Sequence, residues 1–159
     1  MIRALAVKGG VIQIDFHVGM LSQEFRDAAH RNPELLRQID AEAELRCGNK
    51  LGCRDVENER LTRKYVTEGK LPRVEWIKIV DHIDHAVRVA GIDHVGLGSD
   101  FDGGNMPYGM EDASQLPKIT EALLRRGYTE EGIRKILGVN VLRVLEQVEQ
   151  VSRSLQSRP

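Results

Sequence analysis

The chain has 159 residues, enough for one ordinary domain with a hydrophobic core. Its 41% hydrophobic and 30% charged residues are typical of a globular protein, and a net charge of −1 gives no electrostatic basis for binding nucleic acid. No apolar run approaches the roughly 20 residues that span a bilayer, and the N-terminus lacks the apolar core of a signal peptide, so we expect a cytoplasmic protein without a membrane segment.

The first predicted elements are the end of a helix and a buried strand. Residues 1–8 have the apolar spacing of a helix, which Gly9 and Gly10 end. Residues 11–16 are rich in β-branched side chains and predict a strand, and His17 follows its last residue.

A charged segment of about residues 22–70 follows, with few large apolar side chains. It predicts one or two solvated helices inserted beside a site, either as a cover or as a plain surface insertion. Cys47 and Cys53 lie in this segment without further soft or imidazole ligands nearby, so they do not predict a metal site. We expect two unpaired thiols, with a disulfide within the loop as the alternative.

The next predicted elements are a strong helix and a second strand. Pro72 opens the helix, whose apolar stripe ends at Gly91, and His94–Ser99 reads as a short buried strand. A long helical crossover separates the two strands, so we expect them to be parallel neighbours in an α/β fold.

The C-terminal third is predicted to be helical. A loop leads to a helix over Pro117–Arg126 that Gly127 ends, and Thr129 can cap the final helix. Residues 152–159 are expected to form a frayed tail.

The acidic residue after the second strand is the main candidate for chemistry. Gly96, Gly98, Gly103 and Gly104 crowd around Asp100, and glycines within a strand indicate close backbone approach. An acid at the carboxyl end of a parallel strand occupies the catalytic edge of an α/β barrel, although a carboxylate that caps a turn is the alternative.

His17 is expected at the same edge as Asp100, because both residues follow the ends of parallel strands. His82 and His85 lie three residues apart on one helix, which favours polar helix residues over metal ligands. A calcium loop with Asp100 and Asp102 fails because Gly104 supplies no ligand at its fifth position. The residues therefore predict no metal ligand in this chain.

Several segments resemble the renal or membrane dipeptidase family. These are KGGVIQ at residues 8–13, VDHIDH at 80–85, AGIDHVGLGSDFDG at 90–103, LLRRGYTEE at 123–131 and GVNVLRV at 138–144. The resemblance covers most of residues 1–21 and 74–150, and the charged insertion is more similar to bacterial members than to animal ones.

The resemblance implies a (β/α)8 barrel that binds two bridged zinc ions and hydrolyses dipeptides. The family's zinc ligands lie on an HxD motif, a mid-chain glutamate and two later histidines, and none of these segments is present here. Asp100 matches the family's last-strand aspartate, which shuttles a proton from the metal-bridging hydroxide to the leaving amine. His17 falls in a substrate-pocket turn, although Asp15-Phe16-His17 departs from the usual Asn-Phe-Tyr-like sequence.

The expected protein is therefore the C-terminal part of a zinc dipeptidase. Residues 1–159 would form a single partial domain, with about two βα units of the barrel plus the helical insertion. Because the metal-ligand segments are missing, we expect no activity from the isolated chain, and a partner that is either the missing N-terminal barrel half or a second copy. The alternative is a non-catalytic remnant that serves only in assembly with another chain.

Overall fold

The computed structural model describes residues 1–156 and shows helices together with one two-stranded sheet. The strands are β1 Ile12–Asp15 and β2 Val95–Ser99. The helices are α1 Ile2–Val7, α2 Val18–Leu21, α3 Gln23–Arg31, α4 Pro33–Cys47, α5 Cys53–Thr67, α6 Ile77–Ala90, α7 Pro117–Arg125, α8 Glu130–Arg134 and α9 Asn140–Gln156. None of these helices combines the length and the apolarity needed to cross a bilayer.

The chain divides into two compact units. Among the described residues, the first contains residues 1–14, 80–98 and 117–156, and the second contains residues 15–79 and 99–116.

The two strands are adjacent and parallel, as predicted. His94 Nδ1 lies 2.8 Å from the Gly10 carbonyl oxygen at one end, and the Phe16 N–H donates to the Ser99 carbonyl at 3.0 Å at the other. The paired residues thus advance in the same direction along both strands. His94 lies in a 3₁₀ turn before β2, at the end opposite Asp100.

Two side chains of α9 hold the start of β2 in the first unit. Asn140 is 2% exposed, and its amide donates to the carbonyls of Ile92 at 2.7 Å and Val95 at 2.9 Å. Arg143 donates to the carbonyls of Gly9 and Asp93, both at 2.9 Å. These bonds satisfy backbone groups where the strands begin, a requirement for burying them.

A polar cluster links α6 to the segment after α7. Arg126 pairs with Asp81 and Asp84, and the Tyr128 hydroxyl donates to Asp84 at 2.7 Å. Burial, together with the hydrogen bond to Asp84, raises the pKa of Tyr128 to about 12. His82 and His85 lie on α6, as the sequence predicted.

The segment of residues 22–70 contains three helices, α3, α4 and α5, rather than one or two. Their buried positions form small apolar stripes that the high charge of the segment masks in the sequence. The buried residues are Phe25, Ala28, Leu35, Ile39, Ala43, Cys47, Leu61, Thr62 and Tyr65.

The expectation of two unpaired thiols is wrong. Cys47 and Cys53 form a disulfide, with their Cα atoms 5.6 Å apart. Cys47 ends α4 and Cys53 begins α5, so the tight turn between the two helices brings the thiols within the usual Cα separation of a disulfide.

Helix α6 begins at Ile77, later than the start that Pro72 predicted. The Trp76 N–H donates to the Tyr108 carbonyl at 3.0 Å, and the Tyr108 N–H donates to the Val74 carbonyl at 2.8 Å. This parallel bridge keeps the backbone before Ile77 extended. It occupies the Trp76 N–H and the Val74 carbonyl, which a helical turn would need for its own hydrogen bonds.

The C-terminal helix is capped as predicted but is not continuous. The Thr129 hydroxyl accepts from the Gly132 N–H at 3.1 Å, and the backbone leaves helical geometry at Gly138. The predicted frayed tail is helical from Ser152 to Gln156, where α9 continues with an Arg153–Glu149 ion pair one turn apart. Residues 157–159 lie outside the described residues.

Candidate active site

Asp100 follows β2 in an unusual backbone turn. Ser99, Asp100 and Asp102 have φ values of 51°, 68° and 65°, in the left-handed region that few residues other than glycine adopt. The Gly103 N–H donates to the Asp100 carbonyl at 3.2 Å and closes the turn. Such left-handed residues concentrate at functional sites, and this turn presents the Asp100 side chain in an exposed position.

Gly104 brings Asp100 and His17 together. A Cβ at residue 104 would lie 2.6 Å from His17 Cδ2 and 3.1 Å from Asp100 Oδ2, so the backbone contacts both side chains. At Gly103 a Cβ would lie 2.6 Å from Asp100 Oδ1. The crowding of glycines around Asp100 therefore reflects close approach, as the sequence indicated.

His17 is oriented by bonds to its neighbours. Its backbone N–H donates to Asp15 Oδ1 at 2.7 Å. Its ring Nδ1 accepts from the Gly19 N–H at 3.2 Å and so caps α2. Because Nδ1 is an acceptor, the proton of the neutral ring is on Nε2. His17 can therefore donate a hydrogen bond from Nε2.

The loop after Asp100 is anchored on both sides. The Phe16 and Phe101 rings meet edge to face with centroids 5.8 Å apart, and Phe16 is fully buried. The Val18 N–H donates to the Asn105 carbonyl at 2.9 Å. These contacts fix the loop against the residues that surround His17.

A polar cavity of about 170 Å³ lies beside this loop. Asp55 and Asn58 of α5 line it together with His17 and residues 103–105. The Asn58 Oδ1 atom is buried without a hydrogen-bond partner among the described residues. Sequence reasoning treated α5 only as part of an insertion and missed both residues, since nothing in the spacing of two polar residues on a charged helix marks them.

A metal site needs at least three converging ligands. Among residues 1–156, no three His, Cys, Asp or Glu side chains lie together in a way that could hold a metal ion. Asp100, His17 and Asp55 lie in the second unit, whereas His82, His85 and His94 lie in the first. The chemistry that the described residues offer is a carboxylate after β2 and an imidazole after β1, which come together at Gly104.

Comparison with known proteins gives consistent results. The family model described as "Membrane dipeptidase (Peptidase family M19)" matches residues 1–159. Dipeptidase ataJ of Aspergillus terreus is 50% identical over 76 residues, which are 47% of this chain and 18% of that protein. Dipeptidase tcpJ of Claviceps purpurea is 49% identical over 79 residues, which are 48% of this chain and again 18% of that protein.

Solved structures share the fold. The probable dipeptidase PvdM from Pseudomonas aeruginosa has a TM-score of 0.61 and 28% identity, over 89% of this chain and 38% of that one. A metallo peptidase from Rhodobacter sphaeroides, liganded with a phosphinate mimic of the dipeptide L-Ala-D-Ala, has a TM-score of 0.57 and 23% identity, over 91% of this chain and 29% of that one. The chain thus spans well under half the length of each of these relatives.

Proposed function

The chain belongs to the membrane dipeptidase family, peptidase family M19, and we propose that it is the C-terminal portion of a metal-dependent enzyme that hydrolyses dipeptides. The observation that carries this proposal is the meeting of Asp100 and His17 at Gly104, each just beyond the end of a parallel strand. The carboxyl ends of parallel strands hold the catalytic residues of (β/α)8 barrels. In this proposal, β1 and β2 are two strands of such a barrel.

Asp100 is proposed as the general acid–base of the reaction. Peptide hydrolysis adds water to the carbonyl carbon, breaks the C–N bond and requires a proton on the departing nitrogen. The exposed Asp100 carboxylate can accept a proton from the attacking water and pass it to that nitrogen. The Nε2–H of His17, which also lies beside Gly104, is proposed to donate to the substrate and hold it.

The family is one of metallopeptidases, and a bound metal would supply Lewis-acid chemistry. The described residues do not fit the two zinc ions that the sequence resemblance implies, because no three candidate ligands converge. No step proposed here therefore runs through a metal. We propose that segments outside this chain supply the ligands and that the isolated chain is inactive.

An exposed apolar surface on α9 supports this proposal. One side of α9 exposes apolar side chains to between 53% and 60%. They are Leu142, Leu145, Val148, Val151 and Leu155. They recur every three or four residues, so they form one stripe along the helix. An apolar stripe of this length favours contact with another protein surface, and we propose the remaining barrel segments as its partner, with a second copy of the chain as the alternative.

A non-catalytic assembly fragment is the second candidate. The lack of a converging ligand set in the described residues favours it, because such a chain would need only its apolar surface. Such a fragment would need the α9 stripe for assembly, and it would not need Asp100 or His17.

A chimaera distinguishes the two candidates. Residues 1–159 would replace the corresponding segment of the Rhodobacter sphaeroides peptidase, and hydrolysis of L-Ala-D-Ala would be followed by release of free alanine. The dipeptidase proposal expects a chimaera that binds metal and turns over substrate. A folded, metal-loaded chimaera without turnover, as judged by circular dichroism and metal analysis, would favour the assembly fragment.

A further inference from the structure

A second cavity, of about 340 Å³, lies in the second unit beside the candidate active site. Helices α2, α3, α4 and α5 all contribute to its walls. Its size is within the range of small-molecule sites, which are mostly apolar with a few polar groups at defined positions. The cavity is built largely by the inserted helical segment.

The cavity borders the candidate active site at two residues. His17 and Asn105 line both this cavity and the polar cavity that contains Gly103 and Gly104. Gly104 in turn contacts Asp100. A molecule whose reacting bond lies at Asp100 could therefore extend a side chain past His17 into the larger cavity.

The walls of the cavity are apolar and partly exposed. Phe25 and Leu71 are buried in its walls, whereas Met20 is 58% exposed and Leu36 is 36% exposed. Covering exposed apolar surface with an apolar group is favourable at roughly 25 cal/mol per Å². The flexible thioether of Met20 can also adapt to side chains of different shape.

The charge of Arg26 beside the cavity disfavours one class of ligand. Arg26 and His30 line it from one face of α3, and none of the described residues that line it is acidic. Arg26 donates to the neutral Gln23 side chain at 2.7 Å. A cationic side chain would therefore enter against positive charge without a carboxylate partner.

We propose that this cavity is the side-chain specificity pocket of the site, which accepts an apolar side chain of a dipeptide and rejects lysine and arginine side chains. The inference rests on the proposed dipeptidase function for the identity of the ligand. The pocket can nevertheless be tested by binding alone.

The binding test uses the chain of residues 1–159 with methyl-labelled methionine, in which a Met20→Leu variant assigns the Met20 signal. The dipeptides Gly-Leu and Leu-Gly are expected to shift that signal, and Gly-Lys and Lys-Gly to leave it unchanged at the same concentrations. Ala29→Phe fills part of the cavity and should abolish the shift, whereas Ala41→Phe, on the exposed surface of α4, should not.

Two results would overturn the proposal: no shift of the Met20 signal with either leucine dipeptide, or equal shifts with the lysine dipeptides. Arg26→Glu provides a second variant that does not depend on filling the cavity, and it should allow the lysine dipeptides to bind. Unchanged discrimination in Arg26→Glu would contradict the charge argument.

The chimaera separates failure of this inference from failure of the proposed function. Ala29→Phe should lower kcat/KM for leucine-containing dipeptides about 10-fold or more and leave glycylglycine unaffected. Equal effects on both substrates would contradict the pocket while leaving the dipeptidase function in place. A chimaera that hydrolyses no dipeptide would contradict the function, and the Met20 signal would still decide the pocket.

Discussion

Asn140 is expected to be the polar side chain that contributes most to the stability of the first unit. Asn140→Leu keeps a similar side-chain volume but removes both donors to the carbonyls of Ile92 and Val95. Each bond contributes about 0.5–1.5 kcal/mol, and each carbonyl left buried without a donor costs about 1–3 kcal/mol. Allowing for partial relaxation, we expect the free energy of unfolding to fall by about 2–4 kcal/mol.

Urea denaturation followed by far-ultraviolet circular dichroism measures this loss. With an m-value of about 2 kcal/mol per M, the midpoint should fall by about 1–2 M at unchanged slope. Asn32→Leu is the matched control, because exposed Asn32 makes one amide bond to the Ala28 carbonyl at 2.9 Å and should cost less than about 1 kcal/mol. The reasoning is refuted if Asn140→Leu costs no more than the control.

Three further predictions concern the disulfide, Tyr128 and zinc. Replacing Cys47 and Cys53 by serine should lower the free energy of unfolding by about 2 kcal/mol, since the closed loop is short, and the native chain should show no free thiol before reduction. Because folding raises the pKa of Tyr128 from 10 to about 12, the protonated hydroxyl is held more tightly in the folded state. Its contribution to the free energy of unfolding is fully present below about pH 10 and is lost as the pH rises toward 12. Tyr128→Phe should flatten this alkaline loss of stability, and tyrosinate absorbance showing all tyrosines titrating together near pH 10 would contradict it. Metal analysis of the isolated chain should find no stoichiometric zinc and dipeptide assays no hydrolysis, whereas about two zinc ions per chain would contradict the proposal.

Local patterns in the sequence were sufficient to predict the sheet and the two residues of the site that follow its strands, His17 and Asp100. The β-branched residues before His17 and the glycine-rich stretch before Asp100 predicted both strands, and their long separation predicted parallel pairing. Parallel strands have their carboxyl ends at one edge, so the approach of His17 to Asp100 follows from the pairing. The Thr129 cap is likewise a local signal.

The remaining features depend on contacts between residues far apart in the chain. The parallel bridge between Glu75 and Tyr108 displaces the start of α6, and no local pattern contains that pairing. Asp55 and Asn58 line the same cavity as His17 only because of where α5 packs. The disulfide depends on the turn between α4 and α5, and the predicted cytoplasmic location gains no support from it, because disulfides are rare in the reducing cytosol.

The turnover number of Asp100→Asn in the chimaera tests the central claim most directly. Asparagine tolerates the left-handed backbone that Asp100 adopts at φ 68°, and Asp102→Asn at φ 65° is a matched control in the same turn. The account predicts that Asp100→Asn lowers kcat by about 10²–10⁴-fold, with metal content and folding unchanged, while Asp102→Asn stays near the parent value. Near-normal turnover in Asp100→Asn would contradict the account and leave Asp100 as a residue of the turn alone.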